Sequence, residues 1–281
     1  MTPPRLTDRA ALAAHRARAQ ARGNGAAAAL HGAVQDELRL RLSEVNRSFT
    51  APAVVTGFPA LWEGALPGAR VVPDDELLDL EPGAHDLVVH ALALHWANDP
   101  LGQIIQCARA LCPDGLFLAV FPGGRTLQEL RAALARAEVA LTGGLSPRVL
   151  PMAELREAGS LLQRAGLALP VADVQAQPLA WRSPAALLAD LRGTGETNAL
   201  AARLRRPMGR ALWAAALAEW AAERGEGGLL HATLELIWLT GWAPGPGQPQ
   251  PLRPGSATAR LADALGTAEH PLPDRAAPRR V

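Results

Sequence analysis

His95 and Trp96 are the residues whose types and places point most directly to chemistry. They follow an apolar run, Asp86–Leu94, and Gly123, Gly124 and Arg125 follow a second one, Leu116–Phe121. A neutral imidazole at a strand end can accept a proton or orient a substrate. The plainer alternative is a hydrogen bond to a neighbouring loop. Trp96 either lines a pocket or plugs the end of the sheet. His90 and His95 would face opposite ways on one strand, so they make a poor metal pair. No metal site is expected. The residues Arg125 and Glu129, one helical turn apart, read as an ordinary surface pair. Arg203, Arg205, Arg206 and Arg210 either grip an acidic partner or form a solvated helix face.

Several chemistries find no support. There is no G-x-x-x-x-G-K, G-x-G-x-x-G, G-x-S-x-G or H-E-x-x-H pattern, and no tyrosine. Cys107 and Cys112 have no second Cys or His pair nearby, so they read as small apolar residues in a reducing compartment.

The elements that must position these residues follow from the apolar pattern. Asp86–Leu94, a helical stretch from about Pro100 to Leu111, the turn Asp114-Gly115 and Leu116–Phe121 make a βαβ unit with parallel strands. In open α/β sheets sites lie beyond the carboxyl ends of such strands, which is where His95 and Trp96 fall. Upstream, Leu30, Val34, Leu38, Leu42 and Val45 give an amphipathic helix over 26–47. Short strands follow at 53–55 and 70–72, then the acidic cluster Asp74, Asp75, Glu76. Helices are expected at 125–141, at 152–165, from a Ser183 cap to about Arg192, and over 199–224, where Trp213 and Trp220 form a core stripe. Leu167–Trp181 has strand character with a turn near Gln177-Pro178, and Leu229–Trp242 reads as a central strand.

With 281 residues, 49 % apolar, the chain can bury a large core. No apolar run is long enough to span a membrane, and a net charge of +1 points to no nucleic-acid partner. All basic side chains are Arg, and Ala, Gly and Pro abound, as in a GC-rich bacterial genome. A cytoplasmic location is expected. The Arg-rich first forty residues read as a solvated helix.

The expected organisation is an N-terminal helical segment (1–50), an α/β core (51–182), a helical insertion (183–224), a closing strand (225–243) and a Pro-rich tail (244–281).

The segments LALHWANDP, CPDGLFLAVFPGGRTLQELRAAL, GGLSPRVLPM, LLQRAG, LRGTGETNA and RPGSATA resemble the class I methyltransferase-like complex I assembly factors. The animal member of that group is associated with hydroxylating an arginine on a complex I subunit. The malonyl-carrier-protein methyltransferase of biotin synthesis is a more distant relative. The resemblance runs from about residue 85 to 260 and implies a Rossmann-like class I methyltransferase sheet that binds S-adenosylmethionine. It implies a protein substrate or a respiratory-complex subunit as partner, with cofactor near Thr56, Gly57, Phe58, Asp75 and Ala91 and substrate near His95 and Trp96.

Against that pattern, only Gly57 stands where several glycines are expected, followed by Phe58 and by Pro59, which lacks a backbone donor. Only 31 positions separate Val55 from Asp86, whereas two crossovers need roughly 60 residues. One strand–helix unit is therefore missing, and the sheet is abbreviated in its N-terminal half. The cluster at Asp74–Glu76 matches the acidic region after the family's third strand. Three readings stay open: a methyltransferase with a degenerate cofactor loop acting on a protein, a catalytically inactive assembly or binding scaffold, and a carboxyl methyltransferase of a carrier-linked substrate gripped by the Arg cluster.

Overall fold

A computed structural model describes residues 5–222, 228–249 and 260–268. Its centre is one six-stranded sheet of order β2-β1-β3-β4-β6-β5. The strands are β1 (Pro52–Thr56), β2 (Arg70–Pro73), β3 (His85–Ala91), β4 (Leu111–Gly123), β5 (Ala168–Trp181) and β6 (Leu230–Trp242). β1 pairs in parallel with β2 and β3, and β3 with β4, whereas β6 runs antiparallel to both β4 and β5. Thr56 stands opposite Pro73 and Ala91, and Ala91 opposite Val120. The turns that leave β1, β2 and β3 therefore line up along one carboxyl edge.

The helices are α1 (Arg9–Ala21), α2 (Gly25–Glu44), α3 (Pro59–Trp62), α4 (Pro100–Ala110), α5 (Gln128–Thr142), α6 (Leu155–Arg164), α7 (Pro184–Gly193) and α8 (Arg210–Ala222). Alternation along the strands sends Val55, Val88 and Phe117 to one face, against Ile104 and Cys107 of α4 and Leu162 of α6. Val54, Val89 and Leu118 go to the other face, against Val34 and Leu38 of α2 and Trp62 of α3. β1 is buried along its whole length, because a parallel sheet covered on both faces reads as a continuous apolar run. The expected α/β class, abbreviated sheet and helical insertion are all present. α5, α7, α8 and the start of β6 share a third cluster containing Leu134, Leu187 and Trp220. A separate unit, 247–281, contains the short helix α9 (Leu261–Leu265). The RPGSATA segment and residues 223–227 lie outside the described residues.

Four local expectations are corrected. β5 runs unbroken through Gln177 and Pro178, which face Leu234 and Thr233; as an edge strand it tolerates a proline. The helix expected over 199–224 begins only at Arg210. Pro207 disfavours helical geometry for the residue before it, and Leu200 bridges to Thr7 instead. α1 is not merely solvated: Leu12, Arg16 and Ala19 form a buried face. Cys112 is only half-buried, in the irregular start of β4, where the register with β3 shifts and Asp114 takes a positive φ.

Candidate functional site

The site grows from the carboxyl edge of the sheet. After β3 the chain turns through a 3-10 segment, Leu94–Trp96, which brings His95 off the strand. The His95 side chain is only 5 % exposed, and its Nε2 lies 2.9 Å from Glu196 Oε2. The Trp96 indole N–H donates to the same oxygen at 2.6 Å. Glu196 arrives in the loop after α7. It can do so because Gly195 has φ +73 and no side chain; a Cβ there would meet Arg16 and Phe58 at 3.2 Å. Burial opposes ionisation of Glu196, but the charge and hydrogen bond of His95, the charge of Arg16 and the Trp96 N–H together hold the carboxyl below its ordinary value. An ionised carboxylate only accepts, so His95 donates from Nε2. Its Nδ1 is buried without a partner among the described residues.

A second polar group lies beside the first. Arg16 reaches from α1 to the turns after β1 and β2, with Nη1 2.6 Å from Asp74 Oδ1, and Arg9 adds a contact of 3.1 Å to Oδ2. Burial raises the Asp74 pKa and the two guanidiniums lower it; the charges win and hold the carboxyl below its ordinary value. The Arg16 guanidinium also lies on Gly57, in the space a Cβ would fill, and 5.9 Å from the centre of the Phe58 ring. Behind it, His31 accepts from the Trp62 indole at 2.8 Å, and burial pushes its pKa down to about 4.

The sequence-derived candidates divide accordingly. Thr56, Phe58 and Ala91 are buried at the carboxyl edge and Gly57 is half-buried there. Asp75 is exposed, and its carbonyl accepts from Gln103. The buried acid is Asp74, and β2 lies immediately beside β1 rather than one strand further out. Arg125 does not pair with Glu129: it binds Glu235 at 2.8 Å, while Glu129 accepts from Thr233. Arg203 and Arg205 of the Arg cluster pair with Asp8, and Arg206 and Arg210 are exposed. Sequence reasoning did not single out Arg16 or Glu196. The signal for Arg16 was its place four residues after Leu12 on a helix, and for Glu196 its place in the LRGTGETNA segment.

A cavity of about 620 Å³ opens beside His95 and Trp96. It runs under α2, α5, α7 and α8 over the β5–β6 end of the sheet. Its lining includes neither Thr56, Gly57, Phe58, Asp75 nor Ala91.

The chain is 32 % identical over 234 residues to human "Arginine-hydroxylase NDUFAF5, mitochondrial", covering 83 % of this chain and 68 % of that one. The chain belongs to the NDUFAF5 family. The zebrafish (Danio rerio) NDUFAF5 is 32 % identical over 198 residues, 70 % of this chain and 62 % of its own length. A "Malonyl-[acyl-carrier protein] O-methyltransferase" from Laribacter hongkongensis is 36 % identical over 176 residues, 63 % of this chain and 57 % of that one. This NDUFAF5-family chain thus spans roughly three fifths of most of the relatives just named. No family model matches it. Among solved structures it is similar to YcgJ of Bacillus subtilis, at 13 % identity and TM-score 0.47, covering 74 % of this chain and 98 % of that one. It is also similar to a Haemonchus contortus phosphoethanolamine N-methyltransferase 2 solved with S-adenosyl-L-methionine, at 12 % identity and TM-score 0.37, over 72 % and 51 %.

The residues of this NDUFAF5-family chain do not fit S-adenosylmethionine in the manner the family pattern implies. The glycine that would allow close approach is covered by Arg16, and the buried acid is already neutralised by Arg9 and Arg16.

Proposed function

We propose that this chain works as a binding or assembly protein on a methyltransferase fold, serving a respiratory-complex subunit as the NDUFAF5 resemblance suggests. The observation that carries the reading is the Arg16 guanidinium on Gly57. Cofactor approach there requires the guanidinium to leave a buried ion pair, exposing the Asp74 charge to a low-dielectric site. The shortened segment between β1 and β3 supports the same reading.

Calorimetry with S-adenosylmethionine tests it. Binding no tighter than millimolar agrees with the proposal. A micromolar Kd that is lost in Gly57→Trp overturns it.

Methyl transfer to a protein or carrier-linked substrate is the second reading, favoured by the buried His95–Glu196 pair at the wall of a cavity. In that reading His95 and Trp96 position the substrate and exclude water, since methyl transfer depends chiefly on in-line placement. For a carrier-linked substrate held by the Arg cluster, Arg206 and Arg210 are the exposed cations to remove.

A further inference from the structure

β5 ends the sheet: it pairs with β6 on one side and with no strand on the other. Which of its backbone groups are left over follows from β6. There the Glu235 N–H donates to Thr126 Oγ1 and the Thr233 N–H to Glu129, and the Thr233 carbonyl accepts from the Leu127 N–H. The odd residues of β6 thus turn away from β5 and the even ones towards it. Leu234, Leu236, Trp238 and Thr240 face Gln177, Gln175, Asp173 and Val171, so the N–H and C=O groups of Ala172, Val174, Ala176 and Ala180 point outwards. No main-chain partner for them exists among the described residues. Pro178 has the same parity, so its missing donor lies on the open side.

An open edge of this kind recruits another strand unless something blunts it. Here prolines blunt both ends. Pro170 stands at the bulge where regular pairing with β6 begins, and Pro178 lies as far beyond Val174 as Pro170 lies before it. The edge is therefore symmetric about Val174, and an antiparallel second copy matches it position for position. Ala172, Val174 and Ala176 meet Ala176, Val174 and Ala172 of the second copy, each exchanging N–H and C=O bonds. Proline meets proline, so pairing stops at the same place on both strands. The side chains agree. Asp173, held by Arg41, comes opposite Gln175 of the second copy. Gln175 uses its oxygen to accept from Trp238, which leaves its NH₂ to donate to that carboxylate. Val174, 43 % exposed, packs on its own copy. We propose that the edge of β5 joins two copies of this chain into a symmetric dimer, with the sheets continuous through Val174. This surface goes beyond the assembly reading and does not depend on it.

Sedimentation equilibrium of the full chain, from micromolar to millimolar concentration, should show a monomer–dimer equilibrium. Val174→Pro removes the central outward N–H, which β6 does not use. It should raise the dimer dissociation constant by about tenfold or more and leave the melting temperature of the dilute protein unchanged. In a Cys112→Ala background, mild oxidation should link two copies of the Val174→Cys variant, since paired α-carbons lie about 5.5 Å apart. The Ala180→Cys variant, whose position 180 lies far from its own copy, should stay unlinked. A monomer at every concentration overturns the proposal, and slow amide exchange at Val174 in such a monomer would give the edge to another segment of this chain. Equal cross-linking at 174 and 180, or a dimer indifferent to Val174→Pro, overturns it as well. Sedimentation of the wild-type protein needs no variant to fold.

Discussion

The guanidinium of Arg16 rests on the α-carbon of Gly57, joining the first helix to the turn that leaves the first strand. A Cβ at position 57 would overlap the Arg16 guanidinium, so that side chain must shift from its place beside Asp74. Gly57→Ala should therefore destabilise the protein by about 1–3 kcal/mol, the cost of overpacking. In an Arg16→Ala background the same substitution should cost much less, so that a double-mutant cycle in urea gives a coupling of about 1 kcal/mol or more. Additive effects would mean that the two residues do not touch.

Glu196 serves two donors at once. Glu196→Leu should leave the His95 Nε2–H and the Trp96 indole N–H buried without acceptors, costing about 2–4 kcal/mol in unfolding experiments. Glu196→Gln keeps one acceptor oxygen and should cost less. The order Leu worse than Gln is the diagnostic outcome; equal losses would show that the hydrogen bonds carry none of the stability.

Glu138 holds Arg148, one of the residues that line the cavity. Hydrogen bonds from Arg148 and Ser146 hold its carboxyl at about 2, against an ordinary 4.5, despite its burial. A depressed carboxylate stabilises the fold above its unfolded pKa, and that stability is lost as pH falls through the folded value. The Glu138 contribution should therefore decline between pH 4.5 and about 2. Glu138→Gln should cost roughly 2–3 kcal/mol at neutral pH, and the difference from wild type should shrink below pH 4.5, as chemical denaturation at several pH values can measure.

His31 and His90 should set an earlier acid limit. Burial holds both near 4, against 6.5 for the free side chain. Their depressed values mean that the unfolded chain takes up protons first, so stability falls as pH drops from 6.5 towards 4. The melting temperature should decline over that interval, and the decline should be shallower in His31→Gln. A parallel curve for the variant would remove His31 from the account.

The βαβ unit from β3 to β4 was legible because parallel strands covered on both faces appear as apolar runs, and because Asp99 and Pro100 start the helix between them. The Ser183 cap was legible for a similar local reason: its side chain accepts from Ala186 at 3.2 Å. His95 and Trp96 could be named because a strand end announces itself in the residues next to it. Their partner could not: Glu196 lies about a hundred positions away in a loop without periodicity. Arg125 misled for the opposite reason. Its neighbour Glu129 is near in sequence, but β6 brings Glu235 closer in space.

By itself the sequence determined the class of fold, the missing strand–helix unit, the glycine-poor turn and the place of His95, since each depends on composition and spacing within a few residues. Only the tertiary structure decided what surrounds them. One arginine of a helix that reads as solvated turns inward to Gly57 and Asp74, and a carboxylate from the loop after α7 holds the His95 ring through its Nε2. Both outcomes are set by which distant chain segments share a low-dielectric space, where an unpaired charge or an unmade hydrogen bond is costly enough to dictate the partner.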